Sequence, residues 1–215
     1  MKKKFIKIFL TGLLLAPAFT FAQFNYDLHL NYGYSILRED NKETTVQVGN
    51  YYTELPSYSF GCGLYVPIKE TKFQILSGID FISLASKNHM PDDFNAPGYT
   101  GPISWEERFY SITVPFSLSY KFEKWLFLNG GFFNTVHLNE PENMTDKKIN
   151  HYTIGFTGGI YFLIKKRYSI GVNYCRDIIP TAKLLQLPSK TETYKIYFPF
   201  EQLNIKLGVL LHKTE

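Results

Sequence analysis

Between Phe24 and Leu211 apolar and polar residues alternate along eight stretches, the period of two that sends successive side chains to opposite faces of a β-strand. The first is the most regular. Phe24, Tyr26, Leu28, Leu30, Tyr32, Tyr34 and Ile36 fall on one face, and Asp27, His29, Asn31, Gly33 and Ser35 on the other. The fourth repeats this with Tyr110, Ile112, Val114, Phe116, Leu118 and Tyr120 against Ser111, Thr113, Pro115, Ser117 and Ser119. The sixth sets Tyr152, Ile154, Phe156, Ile160 and Phe162 against Thr153, Gly155, Thr157 and Gly159, and the eighth sets Leu203, Ile205, Leu207, Val209 and Leu211 against Gln202, Asn204, Lys206 and Gly208. The second (about Tyr58 to Val66), third (Phe73 to Ser83), fifth (Leu126 to Leu138) and seventh (Tyr168 to Asp177) alternate less cleanly and all carry glycine.

The connections alternate too, long then short. Ile68 to Thr71, Phe122 to Lys124 and Lys165 to Arg167 are short; Arg38 to Tyr51, Lys87 to Glu106, Asn139 to Asn150 and Pro180 to Phe198 are long. This asymmetry predicts an all-β fold, an eight-stranded antiparallel up-and-down transmembrane β-barrel, with tight turns on the periplasmic rim and long loops outside. Each stretch is near the nine to eleven residues that cross a bilayer as a tilted strand.

Period alone does not say which face is inside. In a soluble lipocalin-like barrel binding a small apolar ligand the bulky face points inward; in an outer-membrane barrel it meets lipid and the small polar face fills the lumen. An interior only wide enough for side chains suits the Gly, Ser, Thr and Asn face. Phe24, Tyr26, Phe73, Tyr120, Phe122, Trp125, Phe162 and Tyr168 gather near the short turns and Tyr34, Tyr58, Tyr110 and Tyr152 near the other end, where two aromatic girdles belong. The soluble barrel stays open as the alternative, and an outer-membrane enzyme as a third.

The chain begins with Lys2, Lys3, Lys4 and Lys7, an apolar run from Ile8 through Phe19, and then small residues at Thr20 and Ala22. That is the pattern of a secretory signal peptide, residues 1–22, cut after Ala22, leaving 23–215 as one outer-membrane barrel domain. The leader changes the charge argument: the 23 basic residues include four in the leader, leaving 19 against 19 acidic. A neutral mature chain has no clustered basic face by composition and argues against nucleic acid as a partner. The expected partners are outer-membrane lipid, the barrel-assembly machinery and an unidentified extracellular ligand or protein. Cys62 has the parity of the apolar face and Cys175 that of the polar face, so no disulfide is expected, and no cofactor or metal motif appears.

The polar face carries Asp27, His29, Asp80, Asn173, Asp177, Gln202, Asn204 and Lys206. In a narrow lumen these charges must neutralise one another, and Asp27 and Lys206, on strands that closure makes neighbours, are expected to meet. A continuous aqueous pore is not expected at this strand number. His89, His137 and His151 fall near the outer rim with Ser86, Asp92 and Asp93, but no motif spacing makes a catalytic set of them, and the chain reads as non-enzymatic. The long loop from Lys87 to Arg108 mixes rigid turn residues with Phe94, Tyr99 and Trp105, candidates for binding. Pro180 to Phe200 is rich in apolar residues and reads as strand beyond the membrane or a partner-binding edge. Pro115, which lacks a ladder N–H, predicts a bulge.

The strand Tyr110 to Tyr120 with Pro115 at its centre, followed by Lys121-Phe122, a tight turn and the pair Gly130-Gly131, resembles the PorT-like outer-membrane β-barrel domain family of the Bacteroidota. Ile154 to Asp177, with Gly155, Gly158, Gly159, the basic turn Lys165-Lys166-Arg167 and Gly171-Val172-Asn173-Tyr174, is similar to that family's next hairpin. The resemblance implies an eight-stranded, porin-like outer-membrane barrel with no catalytic residues to carry over.

Overall fold

Backbone hydrogen bonds close the alternating stretches on themselves. The computed structural model describes residues 25–38, 51–89, 104–142, 147–189 and 192–211, without the side chains of residues 51, 147 and 184–196. Its barrel strands are β1 (Asn25–Leu37), β2 (Tyr51–Pro67), β3 (Phe73–His89), β4 (Ser104–Lys121), β5 (Leu126–His137), β7 (Tyr152–Ile164), β8 (Tyr168–Asp177) and β11 (Phe200–Leu210). Each is antiparallel to its neighbours, in chain order, and β1 pairs with β11 from Asp27↔Leu210 to Leu37↔Phe200, which closes the wall. Closure leaves no barrel edge strand, the condition for holding a sheet in lipid.

The faces follow the parity. Leu28, Leu30, Phe60, Phe116, Ile205 and Leu207 are each more than half exposed on the outside, while Asp27, Ser59, Thr113, Ser117, Ser119 and Thr135 are buried within. Tyr26, Phe73, Phe122, Trp125, Phe162 and Tyr168 are exposed around the short-turn end, with Trp125 stacked on Phe162 and Phe73 against Tyr120. Tyr34, Tyr58, Tyr110 and Tyr152 form the exposed set at the other end. No helix among the described residues is long and apolar enough to cross a membrane, and the crossing elements of this fold are strands.

Three strands are longer than the alternation predicts. β2 and β3 each run 17 residues and β4 runs 18, so β2 begins at Tyr51 rather than near Tyr58, and both ends of the expected loop Lys87 to Glu106 are strand. Their outer ends escape a period-two reading because they project past the aromatic belt, where neither face needs to be apolar. A bulge also interrupts the pattern: the β2/β3 register shifts between Glu54 and Tyr58, the stretch that holds Pro56. Pro115, by contrast, marks no bulge. The β3/β4 register is the same at Ser77↔Phe116 and Asp80↔Thr113 on either side of it, and Ser77 Oγ donates to the Pro115 carbonyl at 2.9 Å.

Two of the long connections also carry strands, β6 (Lys147–Ile149), β9 (Ala182–Ser189) and β10 (Glu192–Phe198), which form a separate sheet in the order β10-β9-β6. The segment Pro180 to Phe198 is therefore a hairpin that returns to the barrel mouth, not an extension of the wall.

At the opposite rim the turns are tight. Arg167 N–H donates to the Ile164 carbonyl at 3.1 Å, and the two residues between them, Lys165 and Lys166, have φ of 51° and 55°. Two successive positive φ values define a type I′ hairpin turn, whose usual residues are Asn-Gly. Two lysines hold it here, at a conformational cost of roughly 1–2 kcal/mol each.

Candidate functional site: a sealed lumen and its polar cluster

The barrel interior is stacked in three tiers. Next to the short turns Tyr65, Leu76, Phe127 and Tyr161 form a buried cluster, with Leu163 and Leu210 against it. Phe127 and Tyr161 stack with their rings 4.8 Å apart. At the outer mouth Leu37, Leu84, Phe109 and Phe200 of the barrel meet Ala182 of β9 and Phe198 of β10, all nearly inaccessible to solvent, with Ile149 of β6 packed on them. The base of the small sheet is thus a stopper in the barrel mouth. Between the two apolar plugs lies a cavity of ≈ 90 Å³ with a mixed lining, polar at Asn31, Asp80, Ser117 and Lys206 and apolar at Ile82 and Phe133 among others.

The charges of that middle tier meet in one cluster. His29 Nδ1 lies 2.9 Å from Asp27 Oδ1 and its Nε2 2.6 Å from Asp80 Oδ1. A carboxylate oxygen only accepts, so the geometry fits an imidazolium donating from both nitrogens. Asp27 also receives the Tyr65 hydroxyl on Oδ2 at 2.6 Å and lies 3.3 Å from Lys206 Nζ, although Lys206 pairs across the β1/β11 ladder with Asn31 rather than with Asp27. Its flexible stem spans that offset inside the lumen. Two carboxylates facing an imidazolium and an ammonium make a neutral quartet, the condition under which buried charge is tolerated. Asn31 Oδ1, Ser117 Oγ and Asn129 Oδ1 have no hydrogen-bond partner among the described residues. All three line the cavity, which has room for several waters to satisfy them.

Alternation placed Asp27, His29, Asp80 and Lys206 on the inner face, and the structure brings those four together. Asp177, from the same face, joins a different set. Its Oδ2 accepts from the Thr181 hydroxyl at 2.6 Å and from Phe200 N–H at 3.1 Å. Thr181 Oγ1 is 3.4 Å from His137 Nε2, and His137 Nδ1 is 2.8 Å from Ser111 Oγ. Ser111, His137, Thr181 and Asp177 are all buried, so this chain of hydroxyls, imidazole and carboxylate ties the start of β9 to the wall. Ser111 is not among the residues that line the cavity.

Of the rim histidines His137 and His151 are neighbours, with the His137 N–H donating to the His151 carbonyl at 2.8 Å and His151 Nδ1 3.4 Å from the His137 carbonyl, but their ring nitrogens do not meet a shared Ser/Asp pair among the described residues. His89 Nε2 faces Thr53 Oγ1 at 3.0 Å, and His151 Nε2 faces Glu140 Oε1 at 2.8 Å. Ser86 donates to the Thr53 carbonyl. Asp92 and Asp93 lie outside the described residues, as do two of the candidate binding aromatics, Phe94 and Tyr99. The third, Trp105, is in β4, where its indole N–H donates to Glu107 Oε1 at 3.3 Å. No group of three or more His, Cys, Asp or Glu side chains among the described residues is arranged to hold a metal ion. Cys62 is exposed outside the wall and Cys175 faces the cavity, with its thiol donating to Thr157 Oγ1 at 3.3 Å.

Tyr65, Gln74 and Tyr161 are among the lumen residues that the polar pattern did not reveal. Gln74 Nε2 and Ser119 Oγ meet the Tyr161 hydroxyl at 2.5 and 3.0 Å, so each tyrosine gives its ring to the inner plug and its hydroxyl to the polar tier. The signal was present in β2, where Tyr65 has the same parity as Gly61 and Gly63 and the opposite parity to Cys62.

No family model and no curated protein matches the sequence. Among solved structures the chain is similar to the outer membrane protein OprG from Pseudomonas aeruginosa, at 10% identity over 87% of this chain and 96% of that one with a TM-score of 0.46. It is similar to Neisserial surface protein A at 8% identity over 86% and 96% with a TM-score of 0.45, and to the attachment invasion locus protein Ail of Yersinia pestis at 9% identity over 85% and 97% with a TM-score of 0.37. At such values the likeness carries no argument about this chain. By its own strand order and faces, the chain is a closed eight-stranded antiparallel barrel of the transmembrane type.

Proposed function

We propose that this chain is an outer-membrane barrel that acts through its outer surface, as a structural or binding and adhesion element, and not through its lumen. The observation that carries the reading is a continuous apolar exterior around an interior plugged at both ends. A soluble carrier of apolar ligands needs the reverse, an apolar cavity inside and polar residues outside. A diffusion channel needs an open lumen. Here β2, β3 and β4 instead extend past the outer aromatic belt, and β6, β9 and β10 build a sheet over the mouth, which gives a rigid platform for the long connections. Export by the 1–22 leader with cleavage after Ala22, delivery by the barrel-assembly machinery and membership of the PorT-like family, carried by the Pro115 strand and its turn, belong to the same proposal. So does the absence of catalysis, supported by the ring nitrogens of His89 and His151, which face Thr53 and Glu140.

The test is fractionation of the native host with heat-modifiability on a gel, joined to conductance in planar bilayers. An outer-membrane band that shifts on boiling, with no ion-conducting steps, is the expected result. A soluble periplasmic protein would overturn the membrane assignment, and steady conductance would overturn the sealed lumen.

A further inference from the structure

The mature chain is neutral as a whole, yet the short-turn end of the barrel is basic. The turn between β2 and β3 presents Lys69 and Lys72 with Glu70, the turn between β4 and β5 presents Lys121 and Lys124 with Glu123, and the turn between β7 and β8 presents Lys165, Lys166 and Arg167 with no acid. That is seven cations against two anions, all of them exposed. The opposite connections with the strand ends that carry them (38–57, 86–108, 138–151 and 176–201) hold ten basic against fourteen acidic residues, and three of those acids, Glu107, Asp177 and Glu201, are buried, so that end has no comparable excess of either sign. No ion pair among the described residues ties up any of the seven cations at the short-turn rim, although Glu70 and Glu123 share their turns.

We propose that this basic rim binds the phosphates of anionic phospholipid headgroups in the leaflet facing the short turns, a proposal that rests on the membrane-barrel reading above. Three observations favour a lipid surface over an acidic protein. First, the cations form a ring and not a patch: the three turns are spread around the barrel, whose strand order separates β2/β3, β4/β5 and β7/β8. Second, they sit at the edge of the aromatic girdle, where headgroups lie. Phe122 and Trp125 are exposed in the same turn as Lys121 and Lys124, and Lys72 Nζ stands 6.0 Å from the centroid of the Tyr120 ring. Third, Lys165 and Lys166 occupy the two positive-φ positions of their turn, where asparagine and glycine fit with less strain. A cation is kept where the backbone favours other residues. The chemistry is that of several ammonium and guanidinium donors facing phosphate oxygens, with the guanidinium of Arg167 able to bind in bidentate fashion.

The protein is folded into vesicles of phosphatidylcholine and into vesicles with about 30 mol% phosphatidylglycerol, and the temperature at which the unboiled, fast-migrating gel band is lost is compared. The anionic lipid is expected to raise that temperature by about 5 °C or more, and molar salt, which shortens the screening length to about 3 Å, to remove the difference. Lys165→Asn/Lys166→Gly suits the turn and is expected to fold at least as well in neutral vesicles while losing much of the anionic-lipid increment. Lys121→Gln/Lys124→Gln tests a second turn without touching backbone strain. An equal increment in wild type and both variants, or none in wild type, overturns the proposal and leaves an acidic protein as the partner to seek. A heat-modifiable band in neutral vesicles reports the barrel itself, so failure of the lipid proposal is distinguishable from failure of the membrane reading.

Discussion

His29 is the residue on which the polar tier depends, and replacing it with alanine separates two costs. Among the described residues Asp80 has His29 as its one side-chain hydrogen-bond partner, whereas Asp27 keeps Tyr65 and Lys206. The substitution therefore strands one carboxylate at a site that is 8% exposed. Breaking a buried ion pair from one side costs about 3–5 kcal/mol. The adjoining cavity admits water to the vacated space, so the lower end, about 3 kcal/mol, is expected here. His29→Ala/Asp80→Asn removes the stranded charge and leaves the Asp27–Lys206 pair neutral. The double variant should recover about 2 kcal/mol relative to His29→Ala alone, a coupling within the range for contacting residues. Urea unfolding from vesicles, followed by the fluorescence of Trp105 and Trp125, measures both. If the double variant is no more stable than His29→Ala, the neutral-quartet account is wrong and the loss of His29 is a packing effect.

Arginine at Ile205, which is 52% exposed on the outer face, should cost about 2–4 kcal/mol at mid-membrane and impair insertion; the same holds for Ile112 and Val114. Comparable assembly of such variants in outer membranes would refute the face assignment. Phe109→Ala removes a fully buried ring that meets Phe200 edge to face at 5.4 Å. It should destabilise by about 3–5 kcal/mol, and Phe109→Ala/Phe200→Ala should produce bilayer conductance if the outer plug is what blocks the lumen. A spin label on Cys62 should be relaxed by oxygen dissolved in the lipid and one on Cys175 should not; equal relaxation would place both thiols on one face.

Parity revealed more of this molecule than composition did. A period of two is a direct imprint of a wall with lipid on one side and protein on the other, so the faces of β1, β4, β7 and β11 could be read residue by residue. It fails where that contrast ends. Past the aromatic belt both faces of β2, β3 and β4 meet water or protein, and runs such as Glu106-Glu107-Arg108 look like loop although they pair with Lys87, Ser86 and Ala85. The plugs were hidden for the opposite reason: Leu37, Phe109 and Phe200 are apolar residues on the inner face, and a binary pattern treats them as noise. The hairpin β9/β10 had the composition of a strand, but only the three-dimensional path shows that it returns to the mouth.

The tiers constrain what any residue of this chain can do. The middle of the lumen has lipid beyond its wall and apolar plugs above and below, so its charges have no bulk water to solvate them and must cancel locally. Two acids accordingly meet two bases, and a change to one of them reads out as stability before anything else. The rims are under no such constraint. There charge can accumulate, and at the short turns it does, seven cations against two anions. A sum over residues 23–215, 19 basic against 19 acidic, hides this asymmetry. The interior is where the protein balances charge and the rims are where it presents charge, so partners are to be sought at the rims: a phosphate surface at the tight turns, and outside, ligands for an extended strand platform.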